Sequence, residues 1–112
     1  MKIESPIRLG AGLNDREHPI VRSKRVKKEK EAVGWLLRQF EKPPTPVTFT
    51  ITRIAPGSGL DRDNLFGATK ACRDAISEWI GVNDRDETTV SYAYAQERGP
   101  WGIRIAWADQ GA

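Results

Sequence analysis

Apolar positions along the chain repeat with two periods. In residues 24–40, Val26, Val33, Leu36, Leu37 and Phe40 recur at the 3.6-residue spacing of a helix, and Pro43-Pro44 stops it. Residues 46–54 alternate, with Val47, Phe49 and Ile51 on one face and Thr48, Thr50 and Thr52 on the other. That pattern of β-branched and aromatic residues predicts a strand, broken by the Pro-Gly-Ser-Gly run at 56–59. Residues 64–79 fit a second helix whose buried stripe is Leu65, Ala68, Cys72, Ala75, Ile76 and Trp79. Asp63 is expected as its N-cap and Gly81 as its C-terminal stop. Residues 88–95 alternate through Val90, Tyr92 and Tyr94, and residues 102–107 through Ile103, Ile105 and Trp107. With Glu97-Arg98-Gly99-Pro100 as a turn, these two strands are expected to form an antiparallel hairpin. Residues 1–21 show no period and read as a loop or arm, with room for a short strand at Ile7-Arg8-Leu9. The order α-β-α-β-β predicts an α+β fold: two helices packed on a small mixed or antiparallel sheet. The expected domain is single, spanning 1–112: an arm at 1–21, a basic helix at 22–43, and the sheet with its second helix at 44–108.

Composition narrows the class. Of 112 residues, 38% are hydrophobic and 29% charged, a globular balance that is neither disordered nor membrane-embedded. No apolar run approaches the roughly 18 residues of a spanning helix, and the N-terminus lacks the apolar stretch of a signal peptide. The single Cys72 excludes a disulfide framework and a Cys-based zinc site. The single His18 argues against a His-rich metal site or a Ser-His-Asp triad. Cys72 itself sits on the apolar stripe and is expected in the core.

The net charge of +3 is unevenly spread. Residues 1–43 hold 11 Lys and Arg against 6 Asp and Glu, whereas residues 44–112 hold 7 against 9. Arg22, Lys24, Arg25, Lys27, Lys28 and Lys30 place six cations in nine residues, enough to neutralise several phosphates. The same run also suits a solvated helix face with Lys–Glu pairing. Carboxylates gather in two short stretches: Asp61 and Asp63, then Asp84, Asp86 and Glu87.

In an extended segment, Asp61 and Asp63, two residues apart, point the same way and can face one ion. Carboxylate oxygens suit Mg²⁺ or Mn²⁺. Gly67, Lys70 and Asp74 follow Asp63 at +4, +7 and +11, one stripe of the expected helix, with Lys70 leaning back toward the carboxylates. If strand 88–95 pairs beside the Val47 strand, Asp84 or Asp86 can return to the same place. Asp-x-Asp-Asn equally fits a plain turn with an N-cap, and Asn-Asp-Arg-Asp a plain loop. A calcium loop fails, since Phe66 and not Gly stands sixth from Asp61. Gly57-Ser58-Gly59 lacks the Gly-Lys-Ser/Thr of a P-loop.

The stretch from Asp61 to Val90 resembles the RusA-type Holliday junction resolvases, especially small phage and prophage members. The residues that carry the likeness are Leu60-Asp61-Arg62-Asp63-Asn64-Leu65, then Lys70-Ala71-Cys72-Arg73-Asp74-Ala75-Ile76, then Gly81-Val82-Asn83-Asp84. Tyr94-Ala95-Gln96 and Ile103-Arg104-Ile105 also look like that family. The likeness covers about 50 residues of the C-terminal two-thirds, and its three motifs are specific only as an ordered set. It implies a homodimeric, Mg²⁺-dependent endonuclease, with Mn²⁺ able to substitute, that cuts four-way DNA junctions in the cytoplasm of a bacterial or phage-infected cell. By the same likeness Asp61, Asp63 and Asp84 are metal ligands, Lys70 is the catalytic lysine, Asp74 is a further helix carboxylate and Asp86 a reserve ligand. Two departures stand out: the family's lysine often lies nearer the position of Gly67, and two aspartates often stand where this chain has Asn83-Asp84. The implied DNA grip falls on Arg22, Lys24, Arg25, Lys27, Lys28 and Lys30, with no membrane partner. Two other readings use the same residues: a DNA-binding module that does not cut, and a general metal-dependent nuclease without junction preference. Trp35, Leu37 and Phe40 are assigned to the core in preference to a dimer interface.

Overall fold

The computed structural model describes residues 1–10, 18–83 and 88–108. Seven elements follow one another: β1 (Lys2–Ser5), α1 (Pro19–Leu37), β2 (Val47–Ala55), α2 (Arg62–Ala68), α3 (Lys70–Ile80), β3 (Val90–Arg98) and β4 (Gly102–Trp107). The sheet is mixed, in the order β1-β4-β2-β3, with β2 parallel to β3 and antiparallel to β4. The fold is therefore α+β, with helices packed on a small sheet.

The expected hairpin between the last two strands does not form. The 99–101 link instead carries the chain past the end of β2, where Gly99 N–H donates to the Ala55 carbonyl at 3.1 Å. β4 then pairs on the far side of β2, Ile105 beside Ile51 and Trp107 beside Phe49. The physical gain is burial. As a central strand β2 sets its apolar face between Tyr92 and Tyr94 on one side and Ile105 and Trp107 on the other. Phe49 and Ile51 are fully buried as a result.

Strand parity gives the sheet two unlike faces. Ile3, Phe49, Ile51, Ile103, Ile105 and Trp107 point to the side covered by α1 and α3, where Trp79 and Phe40 meet Trp107 edge-on at 5.7 and 6.2 Å between ring centroids. Polar side chains hold the other face, among them Thr48, bonded to Ser91 at 2.9 Å, and Arg104, which binds Glu4 and reaches across β2 to Glu97.

Helix α1 starts five residues before the apolar pattern does. His18 caps it, its Nδ1 accepting from Ile20 N–H at 3.2 Å, and Pro19 occupies the first turn, where its missing N–H costs nothing. Of the three residues assigned to the core, Leu37 is fully buried and Phe40 packs on Trp107, but Trp35 is 67% exposed. Trp35 stands on the opposite side of the helix from Val33 and Leu37, so the packed face never reaches it. The expected second helix is two. It breaks at Thr69, whose backbone (φ −92°, ψ 4°) leaves the helical well and whose buried Oγ1 donates toward the Leu65 and Phe66 carbonyls. Its predicted stripe from Leu65 to Trp79 is buried throughout, and Gly81 ends it in the left-handed region at φ 86°. The arm contributes β1 at 2–5, earlier than the short strand anticipated at 7–9. Among the described residues no helix is long and apolar enough to cross a membrane.

Candidate functional site

The N-cap of α2 is Asp61, not Asp63. Asp61 has extended backbone (φ −67°, ψ 171°), and its Oδ1 accepts from both the backbone N–H and the side-chain amide of Asn64, each at 2.9 Å. Asn64 is 5% exposed, so this carboxylate is anchored to a fixed group. Asp63 lies inside the first helical turn. The extended-chain argument for two parallel carboxylates therefore does not apply to the pair. Asp63 lines a groove of about 680 Å³ with Arg62, Leu65, Phe66, Tyr94 and Gln96. Both aspartates are exposed, and Asp63 has no hydrogen-bond or ion-pair partner among the described residues.

Lys70 opens α3, beyond the break. Its Nζ turns toward the C-terminus and pairs with Asp74 Oδ2 at 2.8 Å, instead of leaning back to the carboxylates. The pair lines a second groove of about 290 Å³ with Phe66, Arg73, Ser91 and Tyr94. Phe66 and Tyr94, stacked edge-on at 5.6 Å, belong to the walls of both grooves. Arg73, absent from the sequence-based set, lies 3.8 Å over the Phe66 ring and donates to the Phe66 carbonyl at 2.7 Å. It ties the two short helices together across their joint. Burial pushes the Tyr92 and Tyr94 hydroxyls above the ordinary tyrosine value, so both stay protonated and neutral.

Asp84 and Asp86 lie outside the described residues. The pairing on which their return to Asp61 depended is present: β3 runs beside β2, in parallel. Its register sets Val90 beside Val47, at the start of β2, while Asp61 follows the end of that strand. Strand pairing alone thus does not unite the two acidic stretches. Among the described residues no three Asp, Glu, His or Cys side chains gather as a metal-binding group.

The basic run does not form one surface. Arg25 is committed to the buried Glu29 at 2.9 Å, and Lys30 to Glu78 on α3 at 3.1 Å. Arg22 is half-buried. Lys24, Lys27 and Lys28 are exposed and, at helical spacing, share the outward face of α1 with Ile20, Glu31 and Trp35.

Sequence reasoning missed a further group. Arg53 continues the parity of Val47, Phe49 and Ile51 and so points to the packed face, where it is 5% exposed. It stacks on Trp101 at 5.3 Å, and Arg8 lies over the same ring at 4.2 Å. The signal was in the chain: one more step of the alternation puts a cation on the buried side.

Cys72 is fully buried, and burial pushes its thiol up to about 12. It is packing, not a nucleophile. No protein-family model matches the chain, and no curated protein matches it.

Proposed function

We propose that the chain is a Mg²⁺-dependent endonuclease for branched DNA, similar to the RusA-type resolvases and acting as a homodimer on four-way junctions. The observation that carries this reading is the anchoring of Asp61 by the buried Asn64 beside an exposed Asp63 that has no partner among the described residues, which gives the Asp-x-Asp-Asn order a physical purpose. The donor set suits a hydrated hard cation, which is commonly held by one or two carboxylates with water and phosphate oxygens completing its shell. Asp61, through the oxygen not used in the cap, and Asp63 would hold the ion. The likeness adds Asp84. A bound Mg²⁺ would supply charge neutralisation at the phosphoryl oxygens and a coordinated water as the nucleophile.

The chain's own side chains do the rest. Lys70 stands one groove away, restrained by Asp74, and a phosphate entering that groove competes with Asp74 for the ammonium. Lys24, Lys27 and Lys28 offer a sequence-independent grip on backbone phosphates. The symmetric cut of a four-way junction calls for two equivalent sites, which a two-fold dimer supplies. His18 is engaged through Nδ1 as a helix cap.

The decisive experiment compares wild type with Asp63→Asn on a four-way junction and on linear duplex in Mg²⁺. Wild type should nick the junction symmetrically, and the variant should lose cutting by at least about 100-fold while binding the junction as well or better. Wild-type cutting by Asp63→Asn overturns the reading. The pairing of Lys70 with Asp74 favours a second reading, a junction-binding module that does not cut. It predicts gel shifts without nicking in either protein.

A further inference from the structure

The Gly57-Ser58-Gly59 turn that failed as a P-loop lies at the carboxyl ends of the parallel strands β2 and β3, where Ala55 pairs with Arg98. Ligands of open parallel sheets bind at this end. A cavity of about 170 Å³ opens there, lined by Arg53, the turn, Gln96, Glu97 and Arg98. It is well below the 300 Å³ or so of a site for a drug-sized ligand, yet roomy for one tetrahedral anion and a few waters.

The charges around it do not balance. Arg53 is 5% exposed, and its Nε has no hydrogen-bond partner. Neither Arg53, Arg8 nor Arg98 has an ion-pair partner among the described residues. Among the described residues Glu97 is the one carboxylate in the lining, and both its oxygens are taken by Arg104, at 2.6 and 3.2 Å. Burial and the neighbouring Arg8 both disfavour the Arg53 charge. Stacking of Arg53 and Arg8 on Trp101 recovers only part of that cost. An anion would recover the rest.

The turn is shaped for close approach. Gly57 has φ +88° and open space where a side chain would stand, and Gly59 abuts Gln96. Gln96 pins the segment, accepting from Leu60 N–H at 2.9 Å and donating to the Leu60 carbonyl at 2.7 Å. It also lines the Asp63 groove, so the cavity and the carboxylate bend share a wall.

We propose that Arg53, Arg98 and the 57–59 turn form a receptor for a single phosphate group of a nucleic-acid strand. Phosphate capture stands on this geometry alone; the assignment of the strand as DNA passing on to Asp63 rests on the nuclease reading.

The test uses the full chain, free of divalent metal, in ¹H–¹⁵N NMR with inorganic phosphate titrated against chloride at matched ionic strength. Saturable shifts are expected at the amides of 57–59, the Arg53 side chain and the Trp101 indole. Arg98→Ala, an exposed change, should weaken this binding about tenfold, the equivalent of one charged hydrogen bond. Arg53→Lys, which keeps the charge and loses the planar fork, should weaken it at least as much. Lys42→Ala, an exposed change outside the cavity lining, should leave it unchanged. A short single-stranded oligonucleotide should then displace the phosphate. Absent shifts, shifts confined to α1, or wild-type affinity in folded Arg98→Ala overturn the receptor, and failure of displacement overturns the strand as its source. Phosphate shifts in a chain that nicks no DNA uphold the receptor and remove the nuclease reading. Nicking without the shifts does the reverse.

Discussion

Asp61 has one role in the fold and a second in the proposed function, and substitution can separate them. As the α2 cap it satisfies an otherwise orphaned N–H, and as a carboxylate it would offer charge to the proposed cation. Asp61→Ala should cost about 1 kcal/mol of stability and also abolish cutting. Asp61→Ser keeps a capping oxygen, so its denaturation midpoint should stay near wild type while cutting is still lost. If urea melts and junction assays show Asp61→Ser cutting normally, the residue is a cap and nothing more. Asp63 is not the cap, which makes it the cleaner probe of the proposed cation. Arg53 teaches the complementary lesson: a charged residue at a buried parity position marks a place where the fold has left something to be balanced.

At the scale of elements, the open face of the sheet is held by Arg104. Its guanidinium joins Glu4 on β1 at 2.9 Å and Glu97 on β3 at 2.6 Å, spanning all four strands. The hydrogen bonds from Arg104 hold both glutamates below their ordinary value of 4.5 and raise Arg104 in turn. A depressed folded value means the stabilisation is present above the unfolded value and is lost as pH falls through the folded one. The melting-temperature gap between wild type and Arg104→Ala should thus be full at about pH 7 and close progressively below about pH 4. It should also narrow with added salt, since the groups are solvent-facing. A gap that persists at low pH would assign the contribution of Arg104 to packing over Thr52, its register partner.

For the whole molecule, the division of the basic run has a measurable consequence. Lys27 and Lys28 face outward, whereas Arg25 and Lys30 are spent on Glu29 and Glu78. Replacing Lys27 and Lys28 by Ala should reduce the slope of log affinity against log salt by about 2 and weaken binding alike for all DNA sequences. Lys30→Ala should change the slope far less and act mainly by loosening α1 from α3. An unchanged slope in the double variant would return the outward face of α1 to solvent. Trp35, exposed in the same stripe, offers fluorescence to follow the encounter.

Periodicity alone determined most elements of this protein and nearly all of its core. Each strand from β2 to β4 and the stripe from Leu65 to Trp79 were legible, because side-chain direction repeats with local backbone geometry. So was the α+β class. Helix ends were less so: Pro19 and His18 extend α1 through capping chemistry, and Thr69 breaks the second helix through a hydroxyl that competes for backbone carbonyls. Strand order was not legible, because β4 crossing β2 follows from which pairing buries the most apolar surface, a sum over the entire chain. The site divides in the same way. Asp61, Asp63, Lys70 and Asp74 were visible as residue types at spacing. That Asp61 is a cap, that Lys70 turns to Asp74, and that Arg53 stands stacked on Trp101 at the mouth of a glycine turn were settled only by the fold, since distance through space is not a function of distance along the chain.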